Sequence, residues 1–348
     1  MKLQASCVFF ICLIFDLMKN TQNTLSLLFT LVCATCTALF FIGASHTEDD
    51  RIQAEFRQYY KIYSLSLPRN LTFAGEPIPL NDFEVQERYD KELLTNVYWQ
   101  SQTLLMIKRS SRFFPAISAV LAKNGIPDDF KYLCVAESGL QNVISPAGAT
   151  GYWQFLDKTG RMYGLEITDE VDERYQLERS TEAACMYFRY AYNLFGSWAL
   201  AAASYNMGVE GVRRQLQSQN VSNYYDLYLN TETSRYLLRM AALKEIIERP
   251  QHYGFNLTPE HLYKPVPVVI VRADRSIPDL AKFARDNGSN YKMLKVLNPW
   301  LRKSSLTVAP GKQYYISMAK DRMMLTDLTS RIVNDTIALE QMHTEPAR

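Results

Sequence analysis

The sequence predicts a mainly α-helical body followed by a small βααβ unit. From Phe83 to about Pro250, apolar residues recur at the three- and four-residue spacing of a helix face. No convincing strand pattern precedes residue 265. Past Pro265 and Pro267 the chain changes to the β-branched run Val266-Pro267-Val268-Val269-Ile270-Val271. With 348 residues, 47% apolar and 21% charged, the composition excludes collagen-like, low-complexity and disordered chains. Lys and Arg total 38 against 36 Asp and Glu, so the basic excess of a nucleic-acid binder is missing and no such partner is expected. The four His residues stand in no ligand-like spacing with Cys, so neither a metal nor a cofactor is expected.

Residues 1–45 read as a leader apart from the folded body. Two apolar runs, Ala5–Leu17 and Leu25–Ala44, flank Met18-Lys19-Asn20. The second run, with Lys19 before it and Gly43-Ala44-Ser45 after it, has the layout of a secretory signal peptide for which Met18 would serve as start. At about twenty apolar residues it equally suits an uncleaved membrane anchor, and both readings stand. Neither Cys33 nor Cys36 has Leu three places before it, which argues against a lipoprotein site. Only Cys134 and Cys185 lie in the body, too few for a disulfide scaffold; one bridge or two small core residues both fit.

In the body, Pro68, Gly75, Pro77 and Pro79 break any period, so residues 46–82 are expected to form an extended lead-in. Asn81-Asp82 can cap a helix from Phe83 that continues through Leu105. Ser111–Asn124 reads as a second helix closed by Gly125, and Pro127 opens a third. A loop around Ser145-Pro146-Ala147-Gly148 precedes a short helix near Trp153–Tyr163. Glu178–Phe195 is amphipathic, Trp198–Asn206 is small or aromatic on every side, and Thr233–Glu248 ends before Pro250. The helical domain is expected over 83–256 and the βααβ unit over 265–318, with helices at Ile277–Asn287 and Tyr291–Leu297 and a closing strand at Tyr314–Ser317. Residues 319–348 read as a charged tail.

One position carries most of the chemistry. Phe130, Leu133, Cys134 and Glu137 follow the i, i+3, i+4, i+7 stripe of the third helix, so a carboxyl stands where an apolar residue is due. Burial without a partner should raise its pKa and keep it protonated, as a general acid on a glycosidic oxygen requires. A Glu turning into water at a frayed helix end fits the same spacing. Gln154, within Gly151-Tyr152-Trp153-Gln154-Phe155, and Asn206, within Ala202-Ala203-Ser204-Tyr205-Asn206-Met207-Gly208, are neutral polar groups in aromatic or small-residue settings. Such groups suit acetamido sugars, and they equally suit an ordinary core. No carboxylate stands between Gln141 and Gln154, so a two-carboxylate glycosidase is not indicated there. A lone Glu would need the sugar's own 2-acetamido group as nucleophile.

These segments, with Glu137-Ser138-Gly139, Gly148-Ala149-Thr150-Gly151 and Glu232-Thr233-Ser234-Arg235-Tyr236, resemble the ordered motifs of the lytic transglycosylases, and of the membrane-bound murein transglycosylase D type in particular. The resemblance covers about residues 90–250. It implies a lysozyme-like α fold that cleaves the bond between N-acetylmuramic acid and N-acetylglucosamine in peptidoglycan, leaving 1,6-anhydro ends. It also implies Glu137 as acid and then base, and Ser138, Gln154, Tyr205, Asn206 and Tyr236 as residues orienting the saccharide. Exported to the periplasm or cell envelope, such a protein has glycan strands as its partner, and the membrane too if the leader stays. Gln176-Leu177, where Asp-Pro is usual, puts subsite preference rather than chemistry in doubt. Residues 266–317 resemble a LysM module with a degenerate turn at Ala273-Asp274-Arg275-Ser276-Ile277, which leaves open glycan binding or simple packing. A hydrolase on the same scaffold and a catalytically idle wall-binding protein are the alternatives.

Overall fold

The computed structural model describes residues 32–35, 37, 48–59 and 61–319. The expected signal or anchor segment falls almost wholly, and the charged tail past 319 wholly, outside these residues. Among the described residues, no helix is long and apolar enough to cross a membrane. The chain divides at Ser64 into two units. In the first, Glu48–Tyr59 forms helix α1, exposed from Asp50 to Tyr59 and with Arg57 in its last turn. This corrects the expectation of extended chain from residue 46. The breakers that argued against helix all lie after residue 67, and α1 contains none.

The second unit, from Leu65, holds the helical body and the βααβ unit. Here too the lead-in is structured. Strands β1 (Thr72–Phe73) and β2 (Glu76–Pro77) pair antiparallel across Ala74-Gly75, both at positive φ as a two-residue primed turn demands. Phe73 is buried edge-on against Phe130. The body continues with α2 (Phe83–Tyr98), α3 (Gln100–Lys123), α4 (Lys131–Ser138), α5 (Asp157–Met162), α6 (Leu177–Phe195), α7 (Trp198–Met207), α8 (Val209–Gln219) and α9 (Thr231–Glu248).

Asp82 caps α2 by accepting the Glu84 amide at 2.8 Å. The break falls at Trp99, and α3 then runs unbroken over both segments that the sequence reading kept apart, with Pro115 inside it. Between Gly151 and Gln154 the backbone turns, so the short helix begins at Asp157, four residues later than expected. The α8 helix was not singled out from the sequence, although Val209, Val212 and Leu216 stand at i, i+3 and i+7 and face the core. The α9 helix is central, with Leu237, Leu238, Met240, Ala241, Leu243 and Ile246 fully buried against α2, α4 and α7. Glu76 of β2 caps α7, accepting the Trp198 amide at 2.6 Å and the Ala199 amide at 2.9 Å. Cys134 and Cys185 are both free and buried.

The βααβ unit consists of β3 (Val268–Ala273), α10 (Leu280–Asp286), α11 (Tyr291–Leu297) and β4 (Tyr314–Ala319), with β3 and β4 antiparallel from Val268↔Ala319 to Ala273↔Tyr314. It does not hang free. Val171 and Tyr175 of the body belong to its hydrophobic core together with Leu280, Trp300, Leu301 and Ile316. Val171 bridges Leu301, the Asp172 amide donates to the Trp300 carbonyl at 2.9 Å, and the Arg302 amide donates to Glu170 at 2.7 Å. The Glu170 carboxylate accepts from Ser305 Oγ at 3.0 Å and from the Thr307 amide at 2.9 Å, while Arg302 lies 4.0 Å above the Tyr175 ring. A core shared across the junction should unfold as one body. Leu301→Ala, at a fully buried position, should cost about 2–5 kcal/mol. Denaturant unfolding followed by both circular dichroism and tryptophan fluorescence should show one transition moved to lower denaturant, not the early loss of a separate small domain.

Candidate active site

The α4 helix is short because Gly139, at φ +58°, caps it, with its amide donating to Val135 O at 2.8 Å. Leu140 follows at the same φ and is buried. The helix therefore stops one residue after Glu137, whose carboxyl comes to line a cleft of about 880 Å³. Glu137 is half-buried, and desolvation raises its pKa above the ordinary carboxylate range. A hydrogen bond from Tyr236 Oη and the positive field of Arg239 pull the other way, and Glu232 adds a push upward. Burial wins. The Tyr236 phenol is itself driven well above its usual pKa by burial beside this carboxyl, so it stays a donor.

The opposite wall is the turn Gly151–Phe155, held by side chains gripping its carbonyls. Ser138 Oγ donates to Tyr152 O at 2.8 Å, Tyr205 Oη to Trp153 O at 2.8 Å, and Gln154 Nε2 to Gly151 O at 2.7 Å and Val143 O at 3.0 Å. Gln154 stands at φ +53°, a left-handed conformation that costs a non-glycine residue roughly 1–3 kcal/mol. With both amide hydrogens engaged, its oxygen is the group left for a ligand. Gly151, at φ +84°, lies so close to the Arg174 carbonyl that a Cβ would approach it to 2.0 Å.

The structure therefore sorts the residues named from sequence. Glu137, Gln154, Tyr205, Asn206 and Tyr236 line one cleft. Ser138 does not: it is buried behind Glu137, and its hydroxyl is committed to the Cys134 and Tyr152 carbonyls. It holds the turn from behind the cleft lining. Tyr205 spends its proton on Trp153 O, so it meets the cleft through its ring. The Asn206 Oδ1 accepts from buried Thr233 Oγ1 at 2.7 Å, which turns the amide nitrogen toward a ligand's acceptor.

Glu232, Arg235 and Arg239 also line the cleft, and sequence reasoning gave them no individual role. With Tyr236 they stand at i, i+3, i+4 and i+7 on α9, a polar stripe beside the buried apolar face of that helix, which the same periodicity argument could have found. Arg235 is committed to Glu92, which is fully buried, with Nη2 to Oε2 at 3.0 Å. Among the described residues, no group of three or more His, Cys, Asp or Glu could hold a metal ion.

The fold is a helical domain whose cleft holds a half-buried carboxyl, with an appended βααβ unit. Residues 115–227 match the family described as Transglycosylase SLT domain, and residues 270–322 match the Soluble lytic transglycosylase C-terminal LysM-like domain. Both matched domain families are those of lytic transglycosylases, and the chain resembles them over these two segments. Membrane-bound lytic murein transglycosylase D of Escherichia coli K12 is 30% identical over 244 residues, covering 68% of this chain and 52% of that protein. The protein of the same name from Escherichia coli O6:H1 strain CFT073 matches to the same extent. The chain thus spans about half the length of these curated relatives.

The raised Glu137 pKa has a consequence for stability. The folded protein keeps this proton to a higher pH than the unfolded chain does, so stability is full below the ordinary Glu range and falls as pH rises through the raised value. Glu137→Gln, which still offers Tyr236 an acceptor, should therefore raise Tm at about pH 7.5, with the gap closing toward about pH 4. Paired thermal melts across that range measure it.

Proposed function

We propose that this chain cleaves the β-1,4 bond between N-acetylmuramic acid and N-acetylglucosamine in peptidoglycan without consuming water. The observation that carries the reading is Glu137: half-buried, raised in pKa, hydrogen-bonded by Tyr236 and lining a cleft of about 880 Å³. Protonated, it donates to the bridging oxygen as the bond to the muramoyl C1 breaks. The neighbouring 2-acetamido oxygen takes up the positive charge at C1, which replaces the absent nucleophilic carboxylate of a retaining glycosidase. The Glu137 carboxylate then accepts the proton of the C6 hydroxyl, whose oxygen bonds C1 and displaces the acetamido group. An anhydro sugar results, and Glu137 is again neutral.

The surrounding side chains suit that sequence. The Gln154 oxygen and the Asn206 amide nitrogen offer an acceptor and a donor to an acetamido group or hydroxyl. The Tyr205 ring gives an apolar face to the sugar ring. Export fits the apolar run Leu25–Ala44 and the membrane-bound character named for the relatives, with the cell envelope as the place of action and glycan strands as partner.

Hydrolysis is the second reading, and one observation favours it: Glu232 lines the same cleft and provides the second carboxylate that activation of water requires. Glu137→Gln should keep glycan binding and lose about 10²–10⁴-fold in turnover; near-parental turnover would refute the acid role. Mass spectrometry of digests of purified sacculi should find 1,6-anhydromuramoyl ends from both the parent and Glu232→Gln. Reducing ends that vanish in Glu232→Gln would establish the hydrolase instead.

A further inference from the structure

On the cleft-facing stripe of α9, three of the four polar groups have evident work. Tyr236 donates to Glu137, Arg235 neutralises buried Glu92, and Glu232 raises the affinity of Glu137 for its proton. Arg239, one turn beyond Arg235, makes no hydrogen bond and no salt bridge among the described residues, although it is half-buried and lines the cleft. Its flanking residues Leu238 and Met240 are fully buried, so the helix register fixes where the guanidinium emerges.

This placement is at odds with the acid. A cation here favours ionised Glu137 and opposes the desolvation that keeps it protonated. A site serving only an acid and neutral sugars would do better with an uncharged residue. The conflict disappears if the ligand brings an anion. An N-acetylglucosamine polymer carries none, whereas muramic acid bears a 3-O-lactyl group ending in a carboxyl. That carboxyl is free in a peptide-stripped strand. In a substituted strand it forms an amide to a peptide that has carboxylates of its own.

We infer that Arg239 receives a carboxylate of the muramoyl residue or of its peptide, and so selects muramic-acid strands over uncharged acetamido-glucans. The inference rests on the glycan reading of the cleft. A guanidinium suits the role because its planar fork takes both carboxylate oxygens at once, and pairing would also relieve its field on Glu137 when substrate arrives.

The test measures binding in the Glu137→Gln protein, so that no ligand is consumed. Dissociation constants are taken by calorimetry for three soluble oligomers: peptide-bearing muramoyl-glucosaminyl chains, the same chains stripped to the free lactyl carboxylate, and chitooligosaccharides. Adding Arg239→Gln should weaken at least one carboxylate-bearing ligand by about tenfold or more, leave chitooligosaccharide binding unchanged, and be only partly rescued by Arg239→Lys, which restores the charge without the fork. Loss confined to peptide-bearing chains assigns the peptide as source, loss confined to stripped chains assigns the lactyl group, and loss on both shows that either is accepted. No loss on any ligand, or equal loss on all three, overturns the inference while leaving the glycan cleft standing. If the Glu137→Gln protein binds none of the three, the glycan reading falls and the inference with it.

Discussion

The arrangement depends on holding a carboxylic acid where its ionised form is disfavoured yet its proton can still be delivered. Full burial would satisfy the first condition and defeat the second. Stopping α4 at Gly139 meets both, because Glu137 has apolar core on the helix side and open cleft on the other. The neighbouring groups adjust the same balance. On the proposed mechanism, Tyr236 stabilises the anion that would exist after proton transfer, while burial and Glu232 stabilise the acid before it. A group proposed to act as acid in one step and base in the next needs contributions of both signs.

The wall opposite the acid obeys a different constraint. A turn with Gly151 and Gln154 at positive φ is closed by a single backbone bridge, Thr150 to Phe155, and Ser138, Tyr205 and Gln154 add hydrogen bonds to its carbonyls. The segment behind it is just as tightly fitted. Arg174 donates to Phe155 O at 3.3 Å, Asn142 donates to Tyr175 O at 3.2 Å, and the Gly151 backbone lies directly on the Arg174 carbonyl. The residues 170–175 that perform this service from one side are gripped by the βααβ unit on the other. The unit thus forms part of the support of the cleft, whatever it binds.

Much of the catalytic body was legible because its signals are local. The stripe ending in Glu137 announced both the helix and the anomaly in it, and the motifs around Gln154, Asn206 and Tyr236 marked side chains that the fold brings into one cleft. What escaped notice depends on tertiary partners. Ser138 reads as a ligand-facing residue beside Glu137, but a one-residue step on a helix turns it by about 100° toward the core. The hairpin at Thr72–Pro77 is two residues per strand and too short to show a period, yet its Glu76 caps a helix more than 120 residues away. Arg239 was missed because a charged residue on a helix reads as solvent-facing until its neighbours are known.

The junction between the two domains shows why sequence resemblance to a module does not decide how the module is used. A βααβ sequence is expected to fold around its own helices, and α10 and α11 do pack Leu280, Ala284 and Leu294 inward. A unit of some fifty residues nevertheless has little core of its own. Here it is enlarged by Val171 and Tyr175, which the body contributes, and the gain is mutual because those residues lie on a segment with almost no regular structure. The contacts to the body come largely from one stretch, between Trp300 and Tyr314, with Lys312 paired to Glu166 at 2.7 Å and Tyr314 donating to the same carboxylate at 3.1 Å. Those side chains and backbone groups are occupied. Any glycan held by this unit must therefore use another of its faces, or compete with the contacts that brace the cleft.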